Sequence, residues 1–212
     1  KLTYAAAPQA LEMLPPDLAE ALDRHLAAGP LPAEFVMRTK PWFAGIMLTM
    51  ATTTQSGFEA GAGIDQHFYE RTVEAGKRIA GLETIDDQID SLDGLGEDAQ
   101  VALLRSAVEQ LDAVAVQLDR LTANWKRGDV EAIAAMMSEG MREHPELMER
   151  LLSRRNRNWA PQVEALLRAG QPAMVIVGMA HLVGEGSVVD LLMERGYTIR
   201  QVPASGAVVA AP

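Results

Sequence analysis

The sequence contains no cysteine, and this absence removes several classes of chemistry at once. Without thiols the chain has no disulfide, no thiolate metal site and no cysteine nucleophile. The absence does not identify a compartment, because proteins of oxidising compartments need not contain disulfides. The search for catalytic groups therefore turns to histidine, carboxylate and arginine side chains.

Basic residues are also scarce. The chain has 19 lysines and arginines against 29 aspartates and glutamates, which gives a net charge of −10. A protein that binds nucleic acid needs a basic face for the phosphates, and electrostatic docking on anionic lipid needs the same. We therefore expect neither nucleic acid nor an anionic membrane surface as a partner.

Long apolar runs are missing as well. The most apolar stretch, 43–54, is short and ends in threonines, so it predicts a buried helix and no integral membrane segment. The chain begins with Lys1 and shows no signal peptide, and a targeting segment ahead of that residue is compatible with such a start. The sequence therefore leaves the compartment open.

What is present is an ordinary globular composition. The chain has 212 residues, of which 48% are hydrophobic and 23% charged, enough to bury a sizeable core. The pattern predicts an α/β fold with a small mixed or parallel sheet, a large helical insertion over about 84–170 and a C-terminal βαβ unit. We expect a single domain over 1–203 and a flexible tail over 204–212.

Short apolar segments predict the strands of that sheet, at about 77–83, 175–178 and 197–202. The last two are separated by a helical pattern and form the βαβ unit, whose crossover should be right-handed. Between Asp98 and Trp125 apolar residues recur every three or four positions, which predicts one long amphipathic helix. Its apolar seam favours a place in the core over an oligomer contact, and a helical interaction domain is a further alternative.

His181 is the first candidate for chemistry, because it follows the predicted strand at 175–178. Ligands of open parallel sheets bind beyond the carboxyl ends of the strands, and Gly178 would let the backbone turn so that the ring lies over that edge. A neutral imidazole at such a place suits a metal ligand or a general base. The alternative is a turn histidine hydrogen-bonded to the backbone.

Glu83 ends another predicted strand and is the second candidate. A carboxylate there would bind a metal, orient His181 or act as a base, and the alternative is an acid at the start of a helix. Arg155 and Asn156 form the third candidate, because a guanidinium is well shaped to bind a carboxylate or an oxyanion. The alternative there is a solvated basic helix face that pairs with nearby glutamates.

Other catalytic signatures do not occur in the sequence. There is no His-Glu-x-x-His zinc helix, no Gly-x-Ser-x-Gly elbow and no Walker loop, and the glycines near His181 do not form a dinucleotide fingerprint. The remaining histidines fall on predicted helices, where surface or packing roles are expected. They are His25, His67 and His144.

Several stretches together resemble one known family. They are Gly63-Ile-Asp-Gln-His-Phe, Ala75-Gly-Lys-Arg-Ile-Ala-Gly-Leu-Glu-Thr-Ile-Asp-Asp-Gln, Trp125-Lys-Arg-Gly-Asp, Arg155-Asn-Arg-Asn-Trp and Val177-Gly-Met-Ala-His-Leu-Val-Gly. In this order they resemble the TraB/GumN family, whose animal relatives are the Tiki proteins. The resemblance extends over most of the chain.

The resemblance implies an α/β core like that of the erythromycin esterases and ChaN, with a helical insertion. It also implies a metal-dependent hydrolase site built from two Gly-x-x-His motifs and a glutamate. Gly178-Met-Ala-His181 matches the second motif, with His181 as a ligand of a divalent ion such as Zn, Mn or Co. Arg155 with Asn156 and Glu83 match further catalytic positions. Peptide or small-molecule substrates and a periplasmic or secreted location are implied as well.

The chain departs from the family's pattern at one end. Nothing before Leu14 resembles the N-terminal strands that carry the first Gly-x-x-His motif, and no other Gly-x-x-His occurs in the sequence. Catalytic zinc usually has three protein ligands, so we expect an incomplete metal site and little activity from this chain itself. Two functions stay open: a peptidase-like metal-dependent hydrolase, and a non-catalytic peptide-binding or polysaccharide-export accessory protein. Exposed sheet edges would favour a homo-oligomer.

Overall fold

A computed structural model of the chain describes residues 2–3, 14–141 and 144–203. The chain divides into two compact units. The first unit comprises Lys1–His67 and Ile85–Leu118, and the second comprises Phe68–Thr84 and Asp119–Pro212. A single domain over 1–203 stays a prediction, and the predicted tail over 204–212 lies outside the described residues.

Helices account for most of the described residues. In chain order they are α1 (Pro16–Ala28), α2 (Ala33–Val36), α3 (Pro41–Gln55), α4 (Ile64–Glu74), α5 (Ile85–Asp93), α6 (Glu97–Gln110), α7 (Val114–Arg127), α8 (Val130–Met141), α9 (Pro145–Met148), α10 (Arg154–Arg168) and α11 (Val188–Glu194). Three-residue 3₁₀ turns occur at Ala60–Ala62, Leu111–Ala113 and Met179–His181, and a π-helical segment occupies Glu149–Ser153. Prolines begin α1, α3 and α9, where the missing amide hydrogen has no helical partner to lose.

The core of the first unit lies where α3 packs against α6. A Cβ placed on Gly45 would lie 3.4 Å from the Cα of Leu104, so the glycine allows the two helices to approach closely. The cluster is almost entirely aliphatic and consists of Leu14, Leu18, Leu22, Leu26, Val36, Ala44, Leu48, Leu104, Val108 and Leu111. The stretch 43–54 is therefore part of a core-packed helix, as predicted from its composition.

The predicted helix between Asp98 and Trp125 is divided in the structure. Its first part is α6 and its second part is α7, with the 3₁₀ turn at Leu111–Ala113 between them. The predicted core role of the seam holds for Leu104, Val108 and Leu111, which are buried, whereas Trp125 is exposed. The 3.6-residue period therefore located the buried face of α6 but not the break that follows it.

The α/β prediction is wrong. Within residues 2–3, 14–141 and 144–203 the structure contains no strand and no sheet, only an isolated antiparallel bridge between Thr3 and Thr39. The segments predicted as strands have no regular secondary structure, apart from a bend at Leu82 and Glu83. A strand needs a neighbouring backbone for its hydrogen bonds, and none of the described residues provides one. The predicted βαβ unit is thus a helix, α11, between two segments without regular secondary structure.

The core of the second unit lies between α10 and α11. Trp159 and Val163 of α10 are buried against Val188 and Leu192 of α11. The three segments that were predicted as strands contribute partly buried side chains to this cluster, namely Leu82, Val177, Tyr197 and Ile199. Across the described chain, no helix has both the length and the apolarity needed to cross a bilayer.

Candidate functional site

His181 lies at the end of the 3₁₀ turn that begins after Gly178. The amide of His181 donates to the Gly178 carbonyl over 2.9 Å, and the residue is only 6% exposed. Gly178 has a φ of −57°, which any residue adopts, so the turn does not need the conformational freedom that the sequence suggested. The short turn itself directs the imidazole into the second unit.

Asn156 is the polar partner of the imidazole. Its side-chain Oδ1 lies 2.7 Å from Nδ1 of His181, and its Nδ2 donates to the Gly186 carbonyl over 2.9 Å. Both Asn156 and His181 are buried. The sequence placed the two residues 25 positions apart, and the packing of α10 brings them into contact.

Glu83 and Arg155 form a two-pronged ion pair in the same unit. Arg155 donates from Nε to Oε2 of Glu83 over 3.0 Å and from Nη2 to Oε1 over 2.6 Å, and the side chains are 16% and 18% exposed. The Nη1 atom of Arg155 donates to the Leu151 carbonyl over 3.0 Å. Both carboxylate oxygens are therefore engaged by one guanidinium.

Trp159 connects the ion pair to the imidazole. The guanidinium carbon of Arg155 lies 4.7 Å from the centroid of the indole ring, a cation–π distance. The centroids of the Trp159 and His181 rings are 4.4 Å apart with an angle of 46° between their planes. One aromatic side chain therefore touches both candidate groups, and the four residues that the sequence singled out form one cluster with it.

Burial and charge together make the imidazole a weak base. The pKa of His181 is lowered from 6.5 to about 4, chiefly by burial and also by the charge of Arg155, while the Glu83 carboxylate acts in the opposite direction. The ring is consequently neutral at pH 7. A neutral imidazole has a lone pair on one nitrogen, as both a metal ligand and a general base require.

The donors in the described chain do not form a metal site by themselves. No group of three or more histidines or carboxylates in residues 2–3, 14–141 and 144–203 is arranged to hold a metal ion. Glu83 is fully occupied by Arg155, whose positive charge also repels a cation close by. The three other histidines lie on or beside α1, α4 and α9 and complete no such group.

Sequence reasoning overlooked Trp159 as a member of the site. It lies four positions after Arg155, so the two side chains share a helix face, and this spacing was readable in advance. The carbonyls of Leu151 and Gly186 were also missed, and they carry no signal in side-chain identity.

The sequence matches a known protein family over nearly its whole length. A family model described as the TraB/PrgY/gumN family matches residues 1–201. The chain belongs to this family. The resemblance read from the sequence motifs is thereby confirmed, although the α/β core expected with it is not.

A curated relative in this family is the protein named Metalloprotease TIKI2 from Danio rerio. It is 21% identical to the chain over 193 residues, covering 78% of this TraB-family chain and 37% of the relative. The chain therefore spans well under half the length of that protein. No solved structure matches the chain.

Proposed function

We propose that this TraB-family protein is a metal-dependent hydrolase of the peptidase type and that His181 belongs to its catalytic centre. The observation that carries the proposal is the buried neutral imidazole in contact with Asn156 and Trp159, beside the Arg155–Glu83 pair. The zebrafish relative that is named a metalloprotease supports the reaction class. Peptides, the substrates of that class, are the proposed substrates.

The proposed roles follow from the chemistry of each group. His181 would act as a metal ligand or as a general base through its unprotonated nitrogen. Arg155 would bind a substrate carboxylate or stabilise an oxyanion, and Glu83 would hold the guanidinium in the required orientation. Asn156 was predicted from the sequence to act together with Arg155 in binding the substrate or its oxyanion. Its oxygen and one amide hydrogen are already engaged by His181 and Gly186.

The proposed metal needs more ligands than the described residues supply. One free imidazole cannot hold a catalytic ion, since such sites usually have three protein ligands. A divalent ion such as Zn, Mn or Co would therefore need donors beyond the described residues.

Hydrolysis of a fluorogenic peptide library by the purified protein, produced with any residues that its gene encodes ahead of Lys1, tests the proposal. The assay is run with and without EDTA and with added Zn, Mn or Co. We expect metal-stimulated cleavage that His181→Ala reduces by at least about 100-fold, as for removal of a general base. His25→Ala is the matched control, because His25 lies on α1 in the first unit and should leave the rate unchanged. Equal rates for the His181 variant and the wild type would contradict the assignment, and absence of hydrolysis under every condition would contradict the activity.

A second candidate, a non-catalytic peptide-binding protein, is favoured by a different observation. The segment 173–177 has no regular secondary structure and no main-chain hydrogen bond with any other described residue, and Met174, Val175 and Ile176 are exposed. Unpaired main-chain groups beside apolar side chains are what an extended peptide recognises when it binds along a strand. The irregular segments 77–82, 173–177 and 197–203 contain three basic residues and no acidic one, which favours a peptide with acidic side chains.

A ten-residue peptide of alternating valine and glutamate is a suitable probe for this candidate. We expect it to protect the amides of 174–177 from hydrogen exchange, and a valine–lysine peptide of equal length to give no protection. Equal protection by both peptides would contradict charge-based recognition. Protection that depends only on protein concentration would instead indicate self-association.

A further inference from the structure

Two hydrogen bonds connect the Gly186 carbonyl to Asn156 and Asn156 to His181. Together they determine which group donates and which accepts in each bond. The Gly186 carbonyl can only accept, so the Asn156 group that faces it must be the amide NH₂. The opposite group of Asn156 is then its oxygen, which can only accept as well. The nitrogen 2.7 Å from that oxygen, Nδ1 of His181, must therefore carry a hydrogen.

The Gly186 carbonyl is itself held firmly by the turn before α11. Gly186 has a φ of +69°, a conformation that favours glycine, and its amide donates to Oδ2 of Asp190 over 2.7 Å. The amide of Asp190 donates in turn to Oγ of Ser187 over 3.1 Å, which caps α11. The orientation of the Asn156 amide thus depends on the cap of a helix.

We infer that Asn156 is a positioning residue that holds His181 in the tautomer with hydrogen on Nδ1 and leaves the lone pair on Nε2. No described residue hydrogen-bonds to Nε2, so this nitrogen is the one free to accept a proton or to bind an ion. The inference deepens the proposed function. It rests on that function only for the statement that Nε2 takes part in the reaction. The tautomer itself follows from hydrogen bonds that do not depend on catalysis.

This role differs from direct contact with substrate. Asn156 is 3% exposed, and its oxygen and one amide hydrogen are directed at His181 and Gly186. A side chain so enclosed is poorly placed to donate to an oxyanion. Its effect on a reaction would pass through the imidazole.

Long-range ¹H–¹⁵N correlation spectra of the full chain, labelled with ¹⁵N-histidine and recorded at pH 7, test the inference without any activity measurement. His181→Gln identifies the His181 signals among the four histidines. We expect a protonated Nδ1 and an unprotonated Nε2 in the wild type. A wild-type spectrum with the hydrogen on Nε2 would overturn the inference, whether or not the protein hydrolyses peptides.

Two substitutions at Asn156 test whether its side-chain oxygen sets the tautomer of His181. Asn156→Asp keeps an oxygen acceptor for Nδ1, so the Nδ1–H tautomer should persist. Asn156→Leu removes the acceptor, so the hydrogen should be redistributed between the two nitrogens. Asn158→Leu, an exposed asparagine on the same helix, should leave the His181 signals unchanged.

The folding of each variant is checked by circular dichroism. If Asn156→Leu does not fold, Asn156→Ala removes the same acceptor with a smaller side chain and takes its place in the test. A folded Asn156→Leu with the wild-type tautomer would show that Asn156 does not set it. A changed peptidase rate with an unchanged tautomer would contradict the positioning role while leaving the proposed hydrolase intact.

Discussion

The interiors of the two units differ in what they bury. The core cluster of the first unit is aliphatic. In the same unit, Oγ1 of the buried Thr39 donates to the Val36 carbonyl over 2.6 Å, whereas Oε1 of the buried Gln100 has no hydrogen-bond partner among the described residues. The second unit buries Asn156 and His181 in a network that joins residues 25 and 30 positions apart. Buried polar groups cost free energy unless they are fully paired. The first interior is therefore held mainly by aliphatic contacts, whereas the second maintains a polar arrangement that packing alone would not favour.

The largest effect should come from breaking the aliphatic interior. Leu104 is 1% exposed and lies at the contact between α3 and α6. We expect Leu104→Ala to lower the free energy of unfolding by about 2–5 kcal/mol, because a cavity adds to the lost burial. Urea denaturation followed by circular dichroism measures the change. Val116→Ala, at an exposed position of α7, should change it by less than about 0.5 kcal/mol.

A smaller effect should come from separating the ion pair of the polar interior. Arg155→Met leaves Glu83 half-buried and without its guanidinium, and we expect a loss of about 1–3 kcal/mol. Arg157→Met is the matched control, since Arg157 lies on the same helix as Arg155 and pairs with Glu149, but both of these side chains are about half exposed. The control should cost less than about 1 kcal/mol. Equal losses for the two variants would contradict the expectation that the half-buried ion pair contributes more to stability than the exposed one.

The effect that is smallest at neutral pH is a dependence of stability on pH, which develops only as the solution becomes acidic. The pKa of His181 is lowered from 6.5 to about 4 in the folded protein, so between these values the unfolded chain binds a proton that the folded chain does not. The free energy of unfolding should therefore fall as the pH is lowered from 6.5 to 4, by on the order of 2 kcal/mol from this residue.

His181→Gln removes that contribution. The difference in unfolding free energy between wild type and variant, measured from pH 7 to pH 4.5, should shift in favour of the variant as the pH decreases. Carboxylates titrate over the same range in both proteins and cancel in the difference. Parallel curves would show that the imidazole is not shielded from water as its burial indicates.

The contrast between the units also explains what the sequence predicted well. Leu104, Val108 and Leu111 recur at a helical period that is visible in a short stretch of the sequence around them. These residues are buried as expected. The strands were predicted from equally local signals at 77–83, 175–178 and 197–202. Pairing, however, depends on a second backbone far away in sequence, and local propensity carries no information about it.

The candidate site shows the same limit. Residue type and motif were enough to select Glu83, Arg155, Asn156 and His181, and the structure brings all four together with Trp159. Which of them touch was not predictable, because the pairing of Glu83 with Arg155 joins residues 72 positions apart. Their catalytic and metal-binding roles stay predictions. The sequence thus identified the groups, and the tertiary contacts assigned their partners.

The π-helical segment Glu149–Ser153 directly precedes α10, on which Arg155, Asn156 and Trp159 lie. A π turn accommodates roughly one residue more than an α-helical turn, and adding or removing a residue rotates the rest of a helix by about 100°. A single-codon deletion in this segment would therefore swing all three side chains off the imidazole together. Length variation among natural homologues should be rare here, whatever substitutions they tolerate elsewhere.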